Sequence, residues 1–259
     1  MKFGLEKKIV LVSGGSSGIG KAIAIDFMKE GASVMITARR VGPLQDTVHE
    51  LQSLNSGRVS YVSADMTLEA DVNAAVAKTE EVFGTVPDVV VCNVRSLIRF
   101  SFDDASVEDF KTSSDQCVLS VVHLAKAVLP TWKEKRWGRK YVPAVSHSIR
   151  FNVLNLLGQD KLTSQSRAAV GLMRSLSNEF SSFNITFNTI AIGLIDTEVS
   201  EKIAIQGDKL ARIQPEPQPA ISIKRPGRPD EVAAQVVFLA SDRASYVSKM
   251  CRGYHWKPH

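Results

Sequence analysis

Short apolar runs and longer amphipathic stretches take turns along this chain. Lys8-Ile-Val-Leu-Val12 is a continuous apolar run closed by Ser13-Gly14-Gly15, too short for a helix, and it predicts a strand buried on both faces. Ile19, Ala22, Ile23, Ala24, Ile25 and Phe27 then share one broad side of a helix that stops near Gly31. The same reading places strands at Ser33–Thr37, Val59–Ser63 and Val89–Cys92, and helices over Leu44–Leu54 and Val72–Phe83. A long helix with irregular first turns is predicted from about Val107 to Leu129, stopped by Pro130. Tyr141–Val145 reads as a fifth strand in spite of Pro143, which cannot donate to a ladder. Leu162–Phe180 is a helix, Ile185–Ala191 a strand, and Pro229–Ser241 a helix opened by proline.

Strands alternating with helices at this spacing imply βαβ units, right-handed crossovers and a parallel sheet covered on both faces. The fold class is therefore α/β and doubly wound. No linker or repeat interrupts the alternation, so residues 1–259 read as a single domain. Pro215-Glu-Pro-Gln-Pro219, the one proline-rich stretch, lies in a loop of about 197–222 that suits a substrate lid, and residues 248–259 form an atypical tail.

Composition narrows the function more than the fold. With 44% apolar and 23% charged residues the chain has an ordinary globular profile. No apolar run reaches the length of a membrane span, and Met1-Lys-Phe-Gly-Leu-Glu-Lys-Lys lacks the apolar core of a signal peptide. Cys92, Cys117 and Cys251 have neither disulfide-framework nor zinc-site spacing, which predicts a reducing, cytoplasmic setting and no metal. Lys and Arg (32) exceed Asp and Glu (27), but the surplus is spread out apart from Lys249, Arg252 and Lys257. A nucleic-acid binder gathers its charge on one face, so the surplus reads as a solvated surface with some pull toward anionic ligands, and phosphorylated small molecules suit it as well as any polymer.

The turn Ser13-Gly14-Gly15-Ser16-Ser17-Gly18-Ile19-Gly20 joins the first strand to the first helix. Glycines there allow a tight turn and bring backbone N–H groups against a pyrophosphate at a helix N-terminus, and Ser16 and Ser17 add hydroxyls. The other reading is a tight βα turn with no ligand. At the end of the second strand the chain reads Thr37-Ala38-Arg39-Arg40, with two guanidiniums where a carboxylate would accept the ribose 2′-hydroxyl. Arg39 and Arg40 therefore favour the 2′-phosphate of NADP(H) over NAD(H), or else are merely solvated at a helix start. Asp65, beside Met66, either accepts a bond from the adenine amino group or acts as a turn residue.

Glycine pattern, length and element order together resemble the short-chain dehydrogenase/reductase family over about residues 5–247. The resemblance extends to Asn93, to Gly193 and Thr197, and to Lys224-Arg-Pro-Gly-Arg-Pro-Asp-Glu231 followed by Phe238-Leu-Ala-Ser-Asp242. It implies a Rossmann-type domain with a seven-stranded sheet, a homodimer or homotetramer, and NADP(H) bound through residues 13–20, Arg39, Arg40, Asp65, Met66, Asn93, Arg167, Gly193 and Thr197. It also implies a catalytic tyrosine, a lysine four residues on, a serine and an asparagine.

The sequence departs from that pattern where the chemistry sits. In Leu162-Thr-Ser-Gln-Ser-Arg-Ala-Ala-Val170 the tyrosine position is Thr163 and the lysine position Arg167, which keeps its charge but cannot release a proton. The asparagine position falls on Cys117, and the Asn-Asn-Ala-Gly motif reads Cys92-Asn93-Val94-Arg95. Ser148 lies 15 positions before Thr163 and Ser146 lies 17, so either serves as the serine. His147 is a general acid if the strand has ended before it and a packing residue otherwise. His123 reads as structural, and Cys117 as a small core residue rather than a nucleophile.

The expectation is an NADP(H)-dependent oxidoreductase that reduces a carbonyl or activated C=C of a small molecule with Ser148, Ser146, Thr163 and Arg167 as catalytic candidates and a serine, His147 or water as the non-standard acid. Two alternatives stand beside it: a non-redox dehydratase, isomerase or lyase on the same fold, and an inactive NADP(H)-binding or scaffold protein.

Overall fold

The structure, a computed structural model, describes residues 2–53, 58–93, 105–145, 160–192, 195–198, 225–249 and 251–253. Ser146, His147, Ser148, Gly193 and most of the 197–222 loop lie outside them.

The apolar runs become β1 (Ile9–Ser13), β2 (Ser33–Ala38), β3 (Val59–Ser63), β4 (Val89–Val91), β5 (Gly138–Val145), β6 (Ile185–Ile192) and β7 (Cys251–Gly253). All pair in parallel, in the order β3-β2-β1-β4-β5-β6-β7. The amphipathic stretches become α1 (Gly18–Lys29), α2 (Val41–Gln52), α3 (Glu69–Phe83), α4 (Val107–Ser114), α5 (Ser120–Lys135), α6 (Asp160–Phe180) and α7 (Pro229–Ala240). Alternate residues of each strand feed two cores. Val10, Val12, Val34 and Ile36 pack against α1, α2 and α7, while Leu11, Met35, Val90 and Phe187 pack against α3, α5 and α6. This two-sided burial is why β1, β2 and β4 carry continuous apolar runs. The winding direction reverses between β1 and β4, which opens a crevice beyond their C-terminal ends.

Most boundaries shift by one to three residues, and three departures from the sequence reading have a specific physical cause. The predicted long helix is broken by a π-turn, Asp115–Leu119, and it runs through Pro130 to Lys135. Pro130 is exposed, and the turn beyond it is held by Trp132, fully buried with its indole N–H donating to the Pro87 carbonyl at 2.7 Å. That anchor outweighs the one helical bond that proline removes.

Strand β5 starts at Gly138 rather than Tyr141, because Arg139 and Lys140 are fully buried on opposite faces of the sheet. Arg139 donates to the Gly138 and Asn184 carbonyls at 3.0 and 2.7 Å, and its guanidinium lies 4.5 Å from the Trp137 ring. Pro143 is accommodated by geometry. The Arg139 N–H donates to the Asp88 carbonyl on the β4 side, and alternation aims the donor that proline lacks the same way. The last β4–β5 pair is Val91–Tyr141, so no ladder bond is lost.

The tail contributes β7, three residues beside Thr189–Ala191 of β6. Cys-Arg-Gly carries no strand signal. The placement comes from the segment before it, where Asn188 donates to the Val247 carbonyl at 2.9 Å and the Lys249 N–H donates to the Phe187 carbonyl at 2.9 Å. Among the described residues no helix is long and apolar enough to cross a membrane.

Candidate functional site

The crevice is built first by the turn from β1 to α1. Gly14 has φ +61°, in the region glycine adopts at low cost, and a Cβ there would stand 2.5 Å from the Asn93 carbonyl oxygen. A Cβ on Gly20 would fall inside the contact radius of the Gly14 carbonyl and 2.8 Å from Asn93 Nδ2. The turn is therefore folded onto its own helix and onto the end of β4, closer than any side chain allows. Asn93 Nδ2 donates to the Gly14 carbonyl at 3.4 Å, the Gly15 N–H donates to the Thr37 carbonyl at 3.1 Å, and Thr47 Oγ1 donates to the Ser16 carbonyl at 3.1 Å. The Gly14 and Ser16 carbonyls and the Gly15 N–H are thus bound to the protein, which fixes the shape of the turn.

The start of α1 suits an anion. Its N-cap Ser17 makes no side-chain capping bond, and its first turn holds no acidic residue. First-turn N–H groups and the helix dipole together present partial positive charge there. Ser13 and Thr37, register partners at the ends of β1 and β2, are buried, and neither hydroxyl has a hydrogen-bond partner among the described residues. Buried hydroxyls are seldom left unsatisfied, so this pair is a polar spot at the C-terminal ends of β1 and β2.

Arg39 and Arg40 follow directly at the end of β2, both exposed, and neither makes an ion pair among the described residues. Asp65 is a turn residue: its Oδ1 accepts from the Thr67 N–H at 3.0 Å and from Thr67 Oγ1 at 2.8 Å. Met66 beneath it is buried among the α3 and α5 side chains. Thr197 reaches Gly18 from the far side, its Cγ2 3.3 Å from where a Cβ of Gly18 would be.

Sequence reasoning missed what holds Thr197 there. Ile195 bridges to Gly227, and the Asp196 N–H donates to the Gly227 carbonyl at 2.8 Å. Around that bridge Arg225 grips Glu231 with two bonds of 2.6 and 2.9 Å, and Glu231 also accepts from the Arg228 N–H at 2.7 Å. Hydrogen bonding from Arg225 holds the Glu231 carboxyl down at about 2. The signal was present in Arg225-Pro-Gly-Arg-Pro-Asp-Glu231, whose prolines and capping glutamate fit a braced helix start. Opening this clasp with Glu231→Gln is expected to weaken dinucleotide binding several-fold without unfolding the chain, as calorimetry and a thermal melt would read.

The proton-handling positions are less gathered. Thr163 and Arg167 lie on α6, where Arg167 is exposed. Cys117 sits in the π-turn, half-buried rather than in the core, and burial with Cys92 nearby pushes its thiol up to about 11. A thiol so raised is protonated at neutral pH and a poor nucleophile. His123 is half-buried on α5, with Nδ1 unpartnered among the described residues.

Comparison with known proteins agrees with this geometry. A family profile described as Enoyl-(Acyl carrier protein) reductase matches residues 14–250. Oxidoreductase UcpA of Salmonella typhimurium is 31% identical over 249 residues, covering 94% of this chain and 91% of that protein. Glucose 1-dehydrogenase of Gluconobacter oxydans is 30% identical over 244 residues, covering 93% and 88%. Among solved structures, L-sorbose reductase of Gluconobacter frateurii, complexed with NADPH and L-sorbose, superposes with a TM-score of 0.87 at 27% identity, covering 98% of this chain and 97% of that one. On sequence, topology and the glycine turn alike, this chain belongs to the short-chain dehydrogenase/reductase family.

Proposed function

We propose that this protein is an NADP(H)-dependent oxidoreductase that reduces a carbonyl or activated C=C of a small molecule, with a proton donor other than a tyrosine of α6. The observation that carries the reading is the glycine turn: two close approaches that exclude any side chain, above an uncapped helix start with no acidic residue. Such a turn fits a pyrophosphate, and the paired orphan hydroxyls of Ser13 and Thr37 fit a polar ligand beside it. NADPH bound in the solved L-sorbose reductase supports the same assignment.

In this reading residues 14–20 hold the pyrophosphate, Arg39 and Arg40 the 2′-phosphate, and the free oxygen of Asp65 the adenine edge. Asn93 keeps the glycine turn closed, while Thr197, braced by the Arg225–Glu231 clasp, covers Gly18. The bound cofactor supplies a hydride. The chain's part is to place the acceptor carbon and to balance the charge that develops on it. Helix α6 offers Thr163 and Arg167 for this, a hydroxyl that donates a hydrogen bond and a cation that stabilises developing negative charge without giving up a proton. The proton then comes from water or from Ser146, His147 or Ser148.

Calorimetry with NADPH and NADH, followed by turnover with a panel of ketones and enones, tests the reading. Tight NADPH binding with steady oxidation supports it, and failure to bind either dinucleotide overturns it. Product formation at constant nicotinamide absorbance identifies a non-redox enzyme, and binding without turnover a carrier or scaffold. Arg39→Ala/Arg40→Ala is expected to weaken NADPH roughly tenfold or more and to leave NADH nearly unchanged, because only the 2′-phosphate loses its charge-assisted bonds.

A further inference from the structure

Lys140 is a lysine in the middle of a central strand, fully buried, with its register partners Val90 and Phe187 on either side. Among the described residues its Nζ donates to one acceptor, the backbone carbonyl of Val121 in the first turn of α5, at 2.6 Å. One residue earlier, Ser120 Oγ donates to the Gln116 carbonyl at 2.6 Å and stands 3.6 Å from Cys92 Sγ. These contacts sit where α5 emerges from the π-turn. A π-turn shifts the helical ladder by one residue and leaves carbonyls that need other donors, and such turns are frequent at functional sites.

The position of this turn follows from α5 itself. Ser120 meets Cys92 just past the C-terminal end of β4, and Trp132 meets Pro87 just before its N-terminal end. The helix therefore descends from the crevice edge, and the π-turn Asp115–Leu119 lies at or above that edge. It packs there against α6, which carries Thr163 and Arg167.

We propose that Lys140 is a positioning residue for the site: by anchoring the first turn of α5 to the sheet it fixes the π-turn, and through it α6, at the mouth of the crevice. The proposal rests on the reading of that crevice as the reaction site. It accounts for a lysine where an aliphatic side chain would pack at no electrostatic cost. Burial lowers the Lys140 ammonium to about 7. The neutral amine has two N–H groups and the ammonium three, against one carbonyl, so the anchor is best matched above that pH. The other titratable groups on the packed elements are Cys92 of β4, Asp115 and Cys117 of the π-turn and His123 of α5. The described charged residues on the outer sides of α5 and α6, Lys126, Lys133, Glu134, Lys135, Arg167, Arg174 and Glu179, are exposed.

Hydrogen exchange on the full-length protein tests this without a substrate. Corrected for intrinsic rates, amides of residues 113–122 and of α6 are expected to exchange several-fold faster at pH 6 than at pH 8.5. Lys140→Met should remove that difference and leave these segments fast at both pH values, with β1 and α1 unchanged. Histidines change charge in the same range, so His123→Gln is the control and should behave as wild type. Unchanged exchange in Lys140→Met, or a rise spread evenly over the whole chain, overturns the proposal. If Lys140→Met does not fold, Lys140→Gln, which keeps a polar end but cannot change charge, is held to the same loss of the pH difference. NADPH titration of the wild type separates this from the functional reading. Absence of the pH-dependent exchange with NADPH affinity intact counts against Lys140 alone, and pH-dependent exchange at the π-turn without NADPH binding counts against the crevice.

Discussion

Replacing Gly20 by alanine is expected to abolish dinucleotide binding and to destabilise the chain. The added carbon would overlap the Gly14 carbonyl and crowd Asn93 Nδ2 at 2.8 Å, and the Gly14 atoms are backbone, which cannot rotate away. Either α1 withdraws from the turn or the turn unfolds from β4. In both cases the N–H groups that face the pyrophosphate lose their common focus. Overpacking of this kind costs about 1–3 kcal/mol of stability, and losing two or three phosphate bonds weakens binding by roughly a hundredfold or more. Calorimetry with NADPH and urea unfolding read the two effects. Gly171→Ala is the matched control: it lies within α6 with open space around the position, and alanine there is expected to stabilise by about 0.5–1 kcal/mol. Wild-type NADPH affinity in Gly20→Ala would show that the turn does not grip the ligand.

That contrast indicates why the glycine turn was legible in the sequence and other parts were not. A backbone approach that only glycine permits leaves a mark at the residue concerned, and a strand buried on both faces leaves an unbroken apolar run. Hence β1 and β2 and the helices that cover them are written in their own residues. The start of β5 is written elsewhere. Arg139 and Lys140 look like solvated residues, and their burial depends on the Asn184 carbonyl, Trp137 and the Val121 carbonyl, which are distant in the chain or unremarkable in it. The same holds for α5 beyond Pro130, which survives through Trp132 reaching back to Pro87, and for β7, set in register by Asn188 and Lys249.

The site divides in the same way. The half proposed to hold phosphate is local, one turn and the end of one strand, and residues 13–20 with Arg39 and Arg40 are legible without neighbours. Asn93 came forward for a cofactor role, and in the structure its amide closes the turn itself. Asp65 was open between two roles, and one of its oxygens is taken by Thr67. The clasp of Arg225 and Glu231 is legible as a helix start but not as a brace on Thr197, because the bridge from Ile195 to Gly227 joins segments that sequence alone does not pair.

Lys140→Met is expected to make the protein more stable at neutral and acid pH. The ammonium sits at about 7 in the fold against 10.5 in an unfolded chain, so across that interval the unfolded state holds more protons. Stability of the wild type therefore rises with pH between about 7 and 10.5, and below about 7 the whole penalty is in force. Its size is about 5 kcal/mol, and the lost hydrogen bond to Val121 returns about 1–2 kcal/mol. The variant should thus exceed the wild type by about 3 kcal/mol at pH 6, a gap that closes to within about 1 kcal/mol near pH 9.5. Urea midpoints of both proteins at the two pH values measure it. A wild type as stable as the variant at pH 6, or a gap that does not close, would mean that the lysine is not penalised by burial. A variant that is more stable yet loses protection at the π-turn would show a costly side chain kept for the geometry it imposes, the trade between stability and function that strained sites share.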